Sequence, residues 1–156
     1  MNNETPADLA RILGFAATYM EEHGRARFRF GGRPGHPACP VAAIALALGI
    51  KPRRVGHGWF FRIGNEAHRA VGTVILRSGL LSQLPVPSRP YGRLSPRPAN
   101  MSPVRAVHEL ARWSDDKTLD RVVIEALRDQ ARGLVTPRSR VLASMSSPAA
   151  ASVSPD

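Results

Sequence analysis

Acidic residues almost vanish from the middle of this chain. Between residues 23 and 105 there is one, Glu66, against fourteen arginines and lysines. That stretch carries a net charge of +13, whereas the first 22 residues sum to −3, residues 106–137 to −1 and the remainder to +1. A block of one sign sets up a field that draws polyanions. Lysine is scarce too: Lys51 and Lys117 are the two lysines among 22 basic residues. A GC-rich coding genome, also indicated by the abundant Ala, Pro, Gly and Val, explains arginine in place of lysine. It does not explain the missing acids.

Cysteine occurs once, at Cys39, which excludes an internal disulfide. The longest apolar run, Val41 to Leu48, is too short to span a bilayer. The polar N-terminus lacks a basic region followed by an apolar one, so no signal peptide is expected. These absences point to a cytoplasmic protein with no membrane partner. The five histidines, His23, His36, His57, His68 and His108, show no pairing at the spacing of a zinc site. Gly31-Gly32-Arg33-Pro34-Gly35 lacks the spacing of a phosphate loop. No metal and no cofactor is therefore expected.

What is present reads as helix. Leu9, Ile12, Leu13, Ala16 and Met20 recur at helical spacing and predict a first helix over 7–22, opened by Thr5-Pro6 and stopped by Gly24. Residues 40–49 predict a second, alanine-rich and apolar all round, hence buried. A third is expected over 63–81, where Gly72 permits close approach to the second. Residues 104–113 and 117–132 read as a helical pair, with Asp115 or Asp116 capping the second member. Arg27-Phe28-Arg29-Phe30 alternates like a strand and allows a short β-hairpin near 26–32. The expected fold is mainly α: a compact bundle of about five helices around the buried alanine-rich one. Residues 1–135 form a single domain, with a proline-rich loop at 82–103. The Ser/Pro/Ala stretch 136–156 has little to bury and is expected to be disordered.

Several constellations bear on chemistry. His36-Pro37-Ala38-Cys39-Pro40 places a thiol at a helix N-terminus, where amides and dipole favour the thiolate, and His36 is a candidate base. The simpler reading, and the favoured one, is a small apolar residue at a packed helix end. Trp113-Ser114-Asp115-Asp116 sets two carboxylates between helices, for a cation, for acid–base work, or more simply as a cap. Ile44, Ala45, Leu48, Gly49, Ile50 and Val55 fall where a helix-turn-helix wants apolar and small residues. That would put Lys51, Arg53, Arg54 and His57 on the recognition segment. Gly56 and Gly58 oppose it, being poor in a helix interior.

Cys39-Pro40-Val41-Ala42-Ala43-Ile44, followed much later by Trp113-Ser114-Asp115-Asp116 and Thr118 before the last helix, resembles a known pattern. It is similar to that of the actinobacterial domain-of-unknown-function family 6197: Cys, two residues, Gly-Ala-Ile, then Trp-Asn-Asp and a Thr. The resemblance spans residues 7–132 and departs at Ala42, where glycine is usual, and at Ser114, where asparagine is usual. It implies one fold unit and a bacterial cytosolic setting, and supplies no mechanism.

Three functions remain open on the sequence. The leading one is a small basic regulatory protein contacting DNA or RNA through residues 25–62. Arg25, Arg27, Arg29, Arg33, Lys51, Arg53, Arg54 and His57 would bind the nucleic acid, with Phe28, Phe30 or Trp59 stacking on bases. The second is a thiol-dependent enzyme using Cys39 and His36. The third is an interaction module, with the proline-rich segment Pro85–Pro103 or the Ser/Pro tail recruiting a partner, and the basic block serving solubility or meeting an acidic protein partner.

Overall fold

The computed structural model describes residues 3–27, 33, 35–50, 53–55, 58–60, 65–84, 100–117 and 119–136; for 53–55, 58–60 and 65 it describes the backbone. They form six helices and one two-stranded sheet: α1 (Pro6–His23), α2 (Pro40–Ala47), β1 (Arg53–Val55), β2 (Gly58–Phe60), α3 (Asn65–Arg77), α4 (Leu80–Gln83), α5 (Pro103–Asp115) and α6 (Asp120–Val135). Among the described residues no helix is long and apolar enough to cross a membrane.

Helix α1 starts where its caps dictate. The Thr5 hydroxyl accepts from the Asp8 amide at 3.2 Å, and the Asp8 carboxylate accepts from the Thr5 amide at 3.0 Å, a reciprocal box around Pro6. Gly24, at φ 87°, ends the helix by donating its N–H to the Met20 carbonyl. Leu9, Ile12, Leu13, Ala16 and Met20 are all buried, as their spacing requires.

Helix α2 is the centre of the bundle. Pro40 to Ala45 are buried without exception, and α1, α3 and α5 pack around them. An eight-residue helix of alanines and branched residues has little intrinsic stability in water, so this packing holds it. Helices α1 and α6 run antiparallel: Glu21 late in α1 meets Arg128, and Arg25 just beyond α1 meets Asp120 at the start of α6. Helices α3 and α5 also run antiparallel. Gly72 packs on Pro103 so closely that a Cβ there would lie 2.0 Å from the Pro103 carbonyl oxygen. The close approach expected at Gly72 is therefore made to α5, not to α2.

Four expectations need correction. The third helix is two, because Ser78 turns its hydroxyl onto the Ile75 carbonyl and Gly79 adopts φ 69°, which stops α3 and restarts the chain as α4. Neither Asp115 nor Asp116 caps α6. Trp113 is anchored in the core, α5 runs on through Asp115, and α6 opens after Leu119 with no side-chain cap. Among the described residues the segment expected as a recognition helix is not helical: Arg53–Val55 and Gly58–Phe60 are strands. Strands β1 and β2 pair antiparallel in the register Arg53–Phe60, Arg54–Trp59 and Val55–Gly58. Val55, Trp59 and Phe60 favour strands, and two glycines disfavour the helix. Helix α6 also continues to Val135, three residues beyond the expected end.

The hairpin expected near 26–32 lies mostly outside the described residues. Its flank is visible: Ala26 donates to the Ala38 carbonyl at 3.1 Å and Ala38 to the Gly24 carbonyl at 3.3 Å, closing the neck of the connection between α1 and α2. Most of the proline-rich loop, 85–99, and the tail from 137 also lie outside them.

Candidate functional site

Of the polar residues singled out in the sequence, Arg25 and Arg27 meet the Ser114–Asp120 segment at the turn between α5 and α6. Arg25 reaches it from the neck behind α1. Its side chain is 0% exposed. Its Nε donates to the Asp120 carboxylate at 2.9 Å, one terminal nitrogen to the carbonyl and hydroxyl of Ser114, and the other to the Lys117 carbonyl. The guanidinium thus satisfies carbonyls at the negative end of α5 and pairs with an acid in the first turn of α6. A buried arginine so fully bonded cannot also neutralise a phosphate. The expected nucleic-acid role of Arg25 gives way to a structural one.

Arg27 lies next on the same strand of chain and donates to the Asp115 carbonyl at 3.0 Å. Arg33 is exposed, and its carbonyl accepts from the His36 amide and the Tyr19 hydroxyl. Arg53 and Arg54 stand in β1, opposite Phe60 and Trp59 in the register. Arg29, Lys51 and His57 lie outside the described residues.

Cys39 is the N-cap of α2, and its sulfur accepts from the Ala42 amide at 3.5 Å. The helix amides favour the thiolate there, as the sequence suggests, but burial outweighs them. The residue is 3% exposed, and loss of hydration, helped by the nearby Asp115 charge, pushes the thiol up to about 12. His36 is exposed. Its carbonyl accepts from the Tyr19 hydroxyl at 2.9 Å, and no hydrogen bond joins it to Cys39 among the described residues. The thiol is packed and protonated, so Cys39 and His36 do not form the nucleophile and base pair considered above.

Trp113-Ser114-Asp115-Asp116 is likewise a joint. Trp113 and Ser114 are buried, Ser114 binds Arg25, and Asp115 lies close enough to Cys39 for its charge to act on the sulfur. Among the described residues no three His, Cys, Asp or Glu side chains gather as a metal site. The fold does bring His68 of α3 to His108 of α5, with ring centroids 6.2 Å apart, a pairing that sequence spacing did not disclose.

Arg25 was missed as a structural residue because its partners lie 89 to 95 positions away. The signal available was its position. It stands directly after the glycine that ends α1, while the acids that could receive it stand at the boundary between the last two helices.

The architecture is that of a small helical bundle locked by a buried guanidinium at the α5–α6 turn. The model of the Family of unknown function DUF6197 matches residues 4–133, and the chain belongs to that family. No curated protein and no solved structure matches it.

Proposed function

We propose that the protein binds nucleic acid, DNA foremost, through the β1–β2 hairpin and the basic segment around it. The observation that carries this reading is the hairpin register, which sets Arg54 opposite Trp59 and Arg53 opposite Phe60. A two-stranded ribbon of this width fits the major groove. Arginine supplies phosphate contacts, and aromatic residues supply stacking on unpaired bases.

The distribution of acids supports the reading. Asp8, Glu21, Glu109, Asp120, Glu125 and Asp129 each stand within 4.0 Å of an arginine in or near the helices. Between residues 23 and 105 the only acid is Glu66. With Arg25 withdrawn, Arg53 and Arg54 are the principal contacts, joined by Arg27, Arg29, Arg33, Lys51 and His57. A bacterial, actinobacterial and cytoplasmic setting, and a regulatory role, accompany this proposal through the family pattern and the single cysteine.

Fluorescence anisotropy with single-stranded DNA, duplex DNA and RNA across a salt series tests it. Binding should fall linearly in a log–log plot. The R53E/R54E variant should lower the slope by about 2 and bind at least about tenfold more weakly at low salt. No binding at low salt, or equal binding by the variant, contradicts the proposal. Binding confined to acidic proteins would favour the interaction module instead.

A further inference from the structure

Helices α3 and α5 meet along a seam whose closeness Gly72 permits. The Pro103 backbone comes so near that a Cβ on Gly72 would lie 2.0 Å from its carbonyl oxygen. From that contact the two helices run antiparallel, and one turn away they bring His68 to His108. The ring centroids stand 6.2 Å apart, with the planes 30° from parallel. Val71, one turn along α3 from His68, and Val107, next to His108, are fully buried. His68 itself is half-buried and His108 exposed, so the two rings stand at the rim of the seam, within reach of solvent.

Neither ring is committed elsewhere. Among the described residues neither makes a hydrogen bond or an ion pair. The acid beside His108 is engaged: Glu109 lies 3.9 Å from Arg105. A neutral imidazole carries one nitrogen lone pair, and it is the commonest metal ligand in proteins. Two imidazoles on one tetrahedral ion place their centroids about 5 Å apart, given metal–nitrogen bonds of about 2.0–2.1 Å. Closing the pair from 6.2 Å asks for a movement of about 1 Å, within the rotamer freedom of an exposed side chain.

We propose that His68 and His108 together bind one divalent transition-metal ion across the α3–α5 seam. Two imidazole nitrogens hold the ion and water completes its shell. Imidazole suits Zn²⁺, Ni²⁺ and Cu²⁺, whereas Mg²⁺ and Ca²⁺ take oxygen ligands. Among the described residues no third His, Cys, Asp or Glu joins the pair, so the site is open, unlike a four-ligand structural zinc site. Because the two ligands come from different helices, binding ties α3 to α5 and stabilises the folded chain. The site is separate from the hairpin and does not rest on nucleic-acid binding.

Titration of Zn²⁺ into the full chain, followed by NMR of the histidine ring nitrogens, tests the site. His68 and His108 should shift together in one saturable transition, at one ion per chain, while His23 and His36 stay in place. His68→Ala should abolish the response of His108, and His108→Ala that of His68. Each variant should weaken binding by more than about tenfold, the least that loss of an outer-shell partner costs. Saturating Zn²⁺ should raise the thermal midpoint of the wild type and of neither variant, and Mg²⁺ should produce neither effect. His68→Gln and His108→Gln replace any alanine variant that does not fold. Separate transitions for the two rings, a His108 response that persists without His68, an equal midpoint rise in wild type and variants, or no saturable binding overturns the proposal.

Discussion

Arg25 and Lys117 both bring positive charge to the end of α5. Arg25 arrives with its side chain at 0% exposure and spends every nitrogen on partners: the Asp120 carboxylate, the Ser114 carbonyl and hydroxyl, and the Lys117 carbonyl. Lys117 contributes its backbone to that node but leaves its ammonium on the face of Trp113. By charge and position the two residues are alike. By the groups around them, one is hydrogen-bonded through every nitrogen and the other rests on an aromatic face. A net charge of +10 therefore overstates what is available to a partner, because part of it holds the bundle together.

The comparison breaks most visibly in stability. Arg25→Ala leaves the Ser114 and Lys117 carbonyls and the Ser114 hydroxyl without their donor. It should cost about 3 kcal/mol, with the half-exposed Asp120 limiting the loss. Lys117→Met removes only the contact of the ammonium with the Trp113 ring and should cost at most about 1 kcal/mol. Urea unfolding of the two variants beside the wild type checks both, and equal losses would erase the distinction.

Cys39 sharpens the comparison, since it shares the buried joint. Its folded-state pKa, near 12, lies above the ordinary value of 9.0. Below pH 9 the thiol is neutral in both states and the full stability is present. Above it the unfolded chain ionises first, so stability falls by about 1.4 kcal/mol per pH unit until the folded thiol also titrates near 12. Midpoints measured between pH 9 and 11 should approach this slope in the wild type and a shallower one in Cys39→Ala. Alkylation of the native protein should be slow across the neutral range.

The smallest effect belongs to an exposed pair. Arg128 bonds Glu21 and holds its carboxyl below the ordinary 4.5, the hydrogen bond leading and the charge adding to it. The stability this pair contributes is present above pH 4.5 and is lost as the pH falls through the folded value. In Arg128→Ala the Glu21 carboxyl should titrate upward toward 4.5 by NMR, with little change in unfolding midpoint. A large loss would mean that pairing itself, without burial, distinguishes Arg25.

Much of the fold was legible because its signals are local. Thr5-Pro6 and Gly24 bound α1, and the alanine-rich run from Pro40 announced a buried helix. What was not legible depends on residues far apart or on small competitions. Ser78-Gly79 divides an otherwise continuous apolar pattern. Residues 41–58 satisfy helix-turn-helix spacing, yet Val55, Trp59 and Phe60 also carry strand propensity, and the described residues there are strands. The site was less legible than the fold. Counting charges cannot show that Arg25 meets Ser114 and Asp120, nor that burial overrides the helix amides at Cys39.

The most direct measurement concerns the guanidinium itself. In the wild-type protein the Arg25 Nε–H resonance should exchange with solvent only through unfolding, and it should hold its position when DNA is added. Fast exchange, or a shift on DNA binding, would place Arg25 among the available cations and contradict the division drawn between it and Lys117.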